Sequence, residues 1–265
     1  MDAKIINLID SYIDFKNTIV EYTVLTNKVK DYLKEKNNST IVEYYSLKLK
    51  KIDKSTYDKG VIDYLKDNNL DIFLDFKIDQ AKIDELVDSH TLDKDYVIEN
   101  IEKEKTFLNI KIDGFKEELN SNLKDVEYKL SYTPLINIIK RRELLKHELN
   151  RLRYLYYKNA KELKEMMVQN SLDQYRFRYE NKLCLLKIIT VETCYSEDFV
   201  SYIKNNHKDA IITTVKHSEL LRTRSKKVNR DIVDRYKIEE YQDYLYVKFL
   251  QGLFNKKEKR QNKKI

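Results

Sequence analysis

The chain has 265 residues, 36% of them charged, and a formal net charge of +7. Only three Gly and one Pro exclude a turn-rich all-β fold, because tight turns and positive-φ positions draw on Gly. The 21 Tyr, with many Ile and Leu, exclude a disordered chain despite a mean hydropathy of −0.67, so a helix-dominated α+β protein with a sizeable core is expected.

In chain order, Ile5, Leu8, Tyr12, Phe15, Ile19, Tyr22, Thr26, Val29 and Leu33 recur at spacings of 3 and 4. That is a heptad, coiled-coil-like seam on one long helix over 3–36, which wants another helix against it. The β-branched and aromatic run 40–50 reads as a strand. Ser55 is a candidate N-cap for a helix over 57–67. In 70–78, Ile72, Leu74, Phe76 and Ile78 alternate with Asp71, Asp75 and Lys77, the pattern of a half-buried strand. Asp79 can cap a helix to Val87, and a second short helix over 93–103 leads into a strand over 106–112. Asp113-Gly114 is a turn, and Phe115, Leu119, Leu123, Val126 and Leu130 mark a connecting helix. Thr133 and Pro134 suit the N-cap and first position of the next helix.

That helix spans 135–169. Its seam of Ile138, Arg142, Leu145, Leu149, Leu152, Tyr156, Asn159, Leu163 and Met166 has two polar interruptions of the kind that fix register. A strand or strand pair over 175–190, a helix over 195–206, a strand over 209–216, one or two helices over 218–241 and a strand over 243–249 follow. The tail 251–265 is strongly basic.

The order of elements repeats, and so do residues. Tyr57, Tyr64, Lys66, Asn68 and Asp71 match Tyr195, Tyr202, Lys204, Asn206 and Asp209 at an offset of 138, and 106–112 matches 243–249 at 137. The expectation is a tandem duplication of one long helix followed by a small α/β module. The first repeat is 1–112, a connecting helix 113–133, the second repeat 134–250 and the tail 251–265. Two arrangements are open: the long helices pair along their seams, or each packs on its own module.

Charge divides the halves. Residues 1–132 hold 21 Lys and no Arg against 27 Asp+Glu, a net of −6; residues 133–265 hold 30 Lys+Arg against 17, a net of +13. The candidate polyanion-binding residues are therefore Arg141 and Arg142 on the long helix, Arg176 and Arg178 beside Tyr175, Phe177 and Tyr179, and Arg222, Arg224, Lys226, Lys227 and Arg230. Arg offers a planar fork to phosphate, and neighbouring Tyr can stack on unpaired bases. The competing reading is a solvated, salt-bridged surface.

Other chemistry is thin. Asp75-Phe76-Lys77 with Asp53 and Asp71 faintly suggests a metal-dependent nuclease, a pattern of three residues. His90, His147, His207 and His217 lack metal-ligand spacing, and Cys184 and Cys194 form no CxxC. Gly60, Gly114 and Gly252 cannot build a glycine-rich phosphate cradle. No signal-peptide pattern or membrane-length apolar run is seen, so a soluble, intracellular, cytoplasmic protein with no membrane partner is expected. The composition is of the kind an A+T-rich genome gives. The function expected is a non-enzymatic accessory protein, without cofactor or metal, that binds nucleic acid or nucleoprotein through the basic second repeat without sequence specificity. The alternative is a viral or phage structural or assembly scaffold held by protein–protein or homo-oligomer contacts between acidic and basic repeats.

Overall fold

The computed structural model describes residues 2–251, so the basic tail expected from 251 lies outside the described residues beyond Gln251. The first half gives α1 (Asp2–Glu35), β1 (Ser39–Val42), β2 (Tyr45–Asp53), β3 (Thr56–Tyr57), α2 (Val61–Asp67), β4 (Leu74–Ile78), α3 (Gln80–Asp88), α4 (Lys94–Glu99), β5 (Ile101–Ile112) and α5 (Phe115–Leu130). The second gives α6 (Leu135–Gln169), β6 (Gln174–Tyr179), β7 (Lys182–Tyr195), α7 (Glu197–Asn206), β8 (Ile211–Val215), α8 (His217–Arg222), α9 (Arg230–Val233), β9 (Lys237–Ile238) and β10 (Tyr241–Phe249). Short 3-10 turns precede β4 and β8. The chain forms two compact units that cut across the halves. One takes Met1–Lys51, Phe107–Ile189 and Asp243–Ile265; the other takes Ile52–Thr106 and Thr190–Gln242.

In the first unit α1 and α6 pack antiparallel. Ile5, Leu8 and Ile9 share a core with Leu163 and Met167, while Leu25, Val29 and Leu33 share another with Ile138, Ile139 and Leu145. Between them the rings of Tyr12, Phe15 and Tyr156 pack together. Both polar interruptions of the α6 seam face α1. Arg142 donates to Thr26 Oγ1 at 3.0 Å and to the Tyr22 hydroxyl at 2.8 Å, and Asn159 donates to the Asn7 carbonyl and to Ser11 Oγ, each at 3.2 Å. Such bonds hold only at one axial register.

A three-stranded sheet covers each core. Strand order β1-β2-β10 places Val42, Tyr45, Leu47, Leu49, Leu245 and Val247 on the second core; order β5-β7-β6 places Leu108, Ile110, Ile112, Cys184, Leu186, Tyr175 and Phe177 on the first. Alternation then turns the intervening residues outward. Each sheet takes strands from both halves.

In the second unit β4 pairs antiparallel with β8, Leu74 opposite Val215, Phe76 opposite Thr213 and Ile78 opposite Ile211. Two backbone bonds flank the ladder: Asp79 N–H to the Ala210 carbonyl at 2.9 Å and Lys216 N–H to the Phe73 carbonyl at 2.8 Å. β3 pairs with β9. One core joins α2, β4, α8 and α9; the other joins α3, α4 and α7. Asp79, Asp93, Ser196 and Asn229 cap their helices through side-chain oxygens.

Several expectations are corrected. The strand over 40–50 is a hairpin that turns at Glu43, which adopts φ 50°. Ser55 caps no helix: it is buried between two strands and accepts from Glu240 N–H, and the helix starts four residues after Tyr57. Ile72 does not share the face of Leu74; it sits in a 3-10 turn and is 69% exposed. α4 ends at Glu99, and β5 begins two residues later. Pro134, not Thr133, holds the N-cap position of α6. The region 218–241 holds two helices, of six and four residues, but they are short: the loop 223–229 separates them, and a 3-10 turn and β9 follow the second.

Candidate functional site

The outward face of β5-β7-β6 collects cations. Gln174, Arg176 and Arg178 lie directly opposite Lys187, Leu185 and Leu183, so all six side chains share one face. On β5, Leu108, Ile110 and Ile112 turn into the core, which leaves Phe107, Asn109 and Lys111 outward and exposed. Arg176, Arg178, Lys187 and Lys111 thus stand on a face with Phe107 and Leu183; the strands themselves contribute no Asp or Glu to it, and Asp113, whose N–H donates to the Leu183 carbonyl, stands at its end. None of the four has an ion-pair partner among the described residues. Local sequence explains the placement: the apolar alternation of QYRFRY and KLCLLKI puts Tyr175, Phe177, Cys184 and Leu186 inside. On the inner side the Tyr179 hydroxyl donates to the Asp10 carboxylate, which pushes the phenol up to about 12.

In the second unit Arg222 ends α8, and Arg224, Lys226 and Lys227 occupy the exposed loop to α9. No ion pair is formed by these four among the described residues. Asn229 caps α9 and so closes the loop.

The other three candidates are engaged within the fold. Arg142 is 5% exposed, also pairs with Glu143, and has its guanidinium 4.9 Å from the Tyr22 ring centroid; it fixes helix register. Arg141 grips Glu21 with two bonds of 2.8 and 3.0 Å, which raises its pKa further. Arg230 donates to the carbonyls of Leu220, Leu221 and Thr223 and to the Tyr57 hydroxyl, tying down the end of α8. A buried or fully bonded guanidinium has no free fork for a phosphate. Lys111, Lys187 and Phe107 escape a search for Arg clusters. The signal that finds them is alternation: each occupies the polar phase of a strand whose other phase is core.

The carboxylates of the nuclease-like pattern do not gather. Asp53 bonds Ser55 N–H and Lys237, which together lower its pKa. Asp71 lies in the 3-10 turn, and Asp75 is on the exposed face of β4. Among the described residues no group of three His, Cys, Asp or Glu is placed to hold a metal ion. Cys184 is buried in the core, and burial pushes its thiol up, away from the nucleophilic thiolate.

Charge follows the compact units. Among the described residues the first holds 27 Lys+Arg against 19 Asp+Glu and the second 18 against 24, nets of +8 and −6. No described helix is long and apolar enough to cross a membrane. The fold and its cationic face define a mixed helix and sheet protein built on two long helices. No family model, curated protein or solved structure matches the chain.

Proposed function

We propose that this is a non-enzymatic accessory protein that binds nucleic acid or nucleoprotein without sequence specificity, and that the outward face of β5-β7-β6 meets the polyanion. The observation that carries the reading is the set Lys111, Arg176, Arg178 and Lys187, four cations on one sheet face beside an exposed Phe107, without an ion-pair partner among the described residues. A sheet holds such a row rigidly, whereas a flexible loop must be ordered on binding. The exposed Arg222, Arg224, Lys226 and Lys227 are a separate basic segment that adds phosphate contacts. If all four sheet cations meet phosphates of a single strand, the slope of log K against log salt is about −2.8. Arg176→Glu with Arg178→Glu lowers affinity for an oligonucleotide on the order of 100-fold at low salt, measured by fluorescence anisotropy. Undiminished binding by that double variant removes the assigned surface.

The proposal includes a tandem duplication, supported by the order of the larger elements, α1-β1-β2-α2-β4-α3-α4-β5 against α6-β6-β7-α7-β8-α8-α9-β10; the two-residue strands β3 and β9 stand at non-equivalent places and depart from it.

The opposite nets of the compact units favour a second reading, an assembly scaffold whose copies join acidic to basic unit. In that case light scattering shows oligomers that salt dissociates, and the protein ignores oligonucleotides.

A further inference from the structure

The other sheet of the first unit presents a second face of the same chemistry, at a place the charge of the first half argues against. On β1-β2-β10, Ser39 and Ile41 stand opposite Lys48 and Ser46. Leu47, Leu245 and Val247 turn into the core, so Lys48, Lys50, Tyr244, Tyr246 and Lys248 turn outward. The Lys50 ammonium lies 5.2 Å from the Tyr246 ring centroid, which makes the outward sets of β2 and β10 neighbours. Tyr244 is 52% and Tyr246 41% exposed. No Asp or Glu shares this face. The carboxylates at its margins are engaged elsewhere, Glu43 with Lys140 and Asp243 with Lys34. Neither Lys48 nor Lys248 has an ion-pair partner among the described residues.

We infer that this face binds single-stranded nucleic acid, with bases stacked on Tyr244 and Tyr246 and phosphates held by Lys48, Lys50 and Lys248. Three cations without a carboxylate complement a polyanion. Two tyrosines on alternate positions of one strand stand about 7 Å apart with their rings in solvent. Only unpaired bases offer π-faces to such rings, since a duplex hides them in its stack. A protein partner would find few apolar anchors here, Ile41 and Ile52 being the large aliphatic residues on the outward phase of β1 and β2. Between Leu8, under one sheet, and Leu33, under the other, α1 rises about 38 Å, so one strand could engage both faces only by spanning that length. The inference rests on the proposed function for its ligand class but on different residues, and the two can fail separately.

The test measures binding of a labelled oligothymidylate of about 20 nucleotides, and of a duplex of equal length, by anisotropy. Tyr244→Ala with Tyr246→Ala should weaken the single strand by about 10-fold or more, with the salt slope and the duplex affinity unchanged. Lys48→Gln with Lys50→Gln provides a second variant if the first unfolds, and should lower the magnitude of the slope by roughly 1.4. Wild-type affinity and slope in both variants, with loss in Arg176→Gln/Arg178→Gln, overturn this inference and leave the first face standing. Wild-type binding in all three overturns both.

Discussion

At the scale of single residues, three arginines that look alike in the sequence do different work. Arg176 extends from an exposed strand face, Arg141 is held by one carboxylate, and Arg142 is buried between helices. The heptad position of Arg142 was legible, and a polar residue in a seam points inward; its partners Tyr22 and Thr26 lie 120 and 116 residues away and were not. His217 shows the same limit. Its Nδ1 accepts the Tyr57 N–H at 3.0 Å, and its ring stacks on that of Tyr57. The imidazole is therefore neutral with its proton on Nε2, and burial lowers its pKa below the ordinary 6.5. The unfolded state then binds the proton more readily, so stability rises with pH. This contribution is fully present above about pH 6.5 and is lost as pH falls toward the depressed folded-state value. The urea midpoint should be lower at about pH 5 than at about pH 7.5, and His217→Gln should remove that difference; an unchanged pH profile in the variant would assign the dependence to other groups.

At the scale of elements, long periodic segments were legible to within a residue or two. α1 and α6 follow from spacings of 3 and 4, and α5 from the turn before it. Gly114 at that turn adopts φ 75°, and nothing lies within 4 Å of where a Cβ would stand. Gly114→Ala should therefore cost about 1–2 kcal/mol through conformation alone, with Gly114→Asn costing less. Chemical denaturation of the two variants checks the order. Short elements were less legible. The hairpin at Glu43 uses a residue that seldom adopts positive φ, so no turn signal marks it. In 217–241 the backbone is held by Arg230 donating to three carbonyls, a bond set that helix periodicity does not announce.

At the scale of the whole molecule, the halves are interleaved. β10 completes the sheet begun by β1 and β2, β5 joins β6 and β7, and β4 and β8 share a ladder. A protease site inserted at the exposed turn Ser131–Pro134 should leave the cut chain as one particle on size exclusion, separable only in denaturant. Recovery of folded structure should then need both fragments mixed, because neither sheet is complete without strands of the other half. Fragments that separate in native buffer would refute the dependence.

The sequence by itself determined the long helices, the core phase of most strands and the polar phase that carries Arg176, Arg178 and Lys187. These are local properties, set by side-chain spacing and backbone geometry. Tertiary structure alone decided which strands pair, which cations stay free, and that the basic balance gathers in a unit assembled from both ends of the chain. Those outcomes depend on contacts between residues distant in the chain, such as Asp113 with Leu183 and Leu74 with Val215. Charge counted along the chain sets the first half at −6, yet its own sheet turns Lys48 and Lys50 outward beside Tyr244 and Tyr246 from the second.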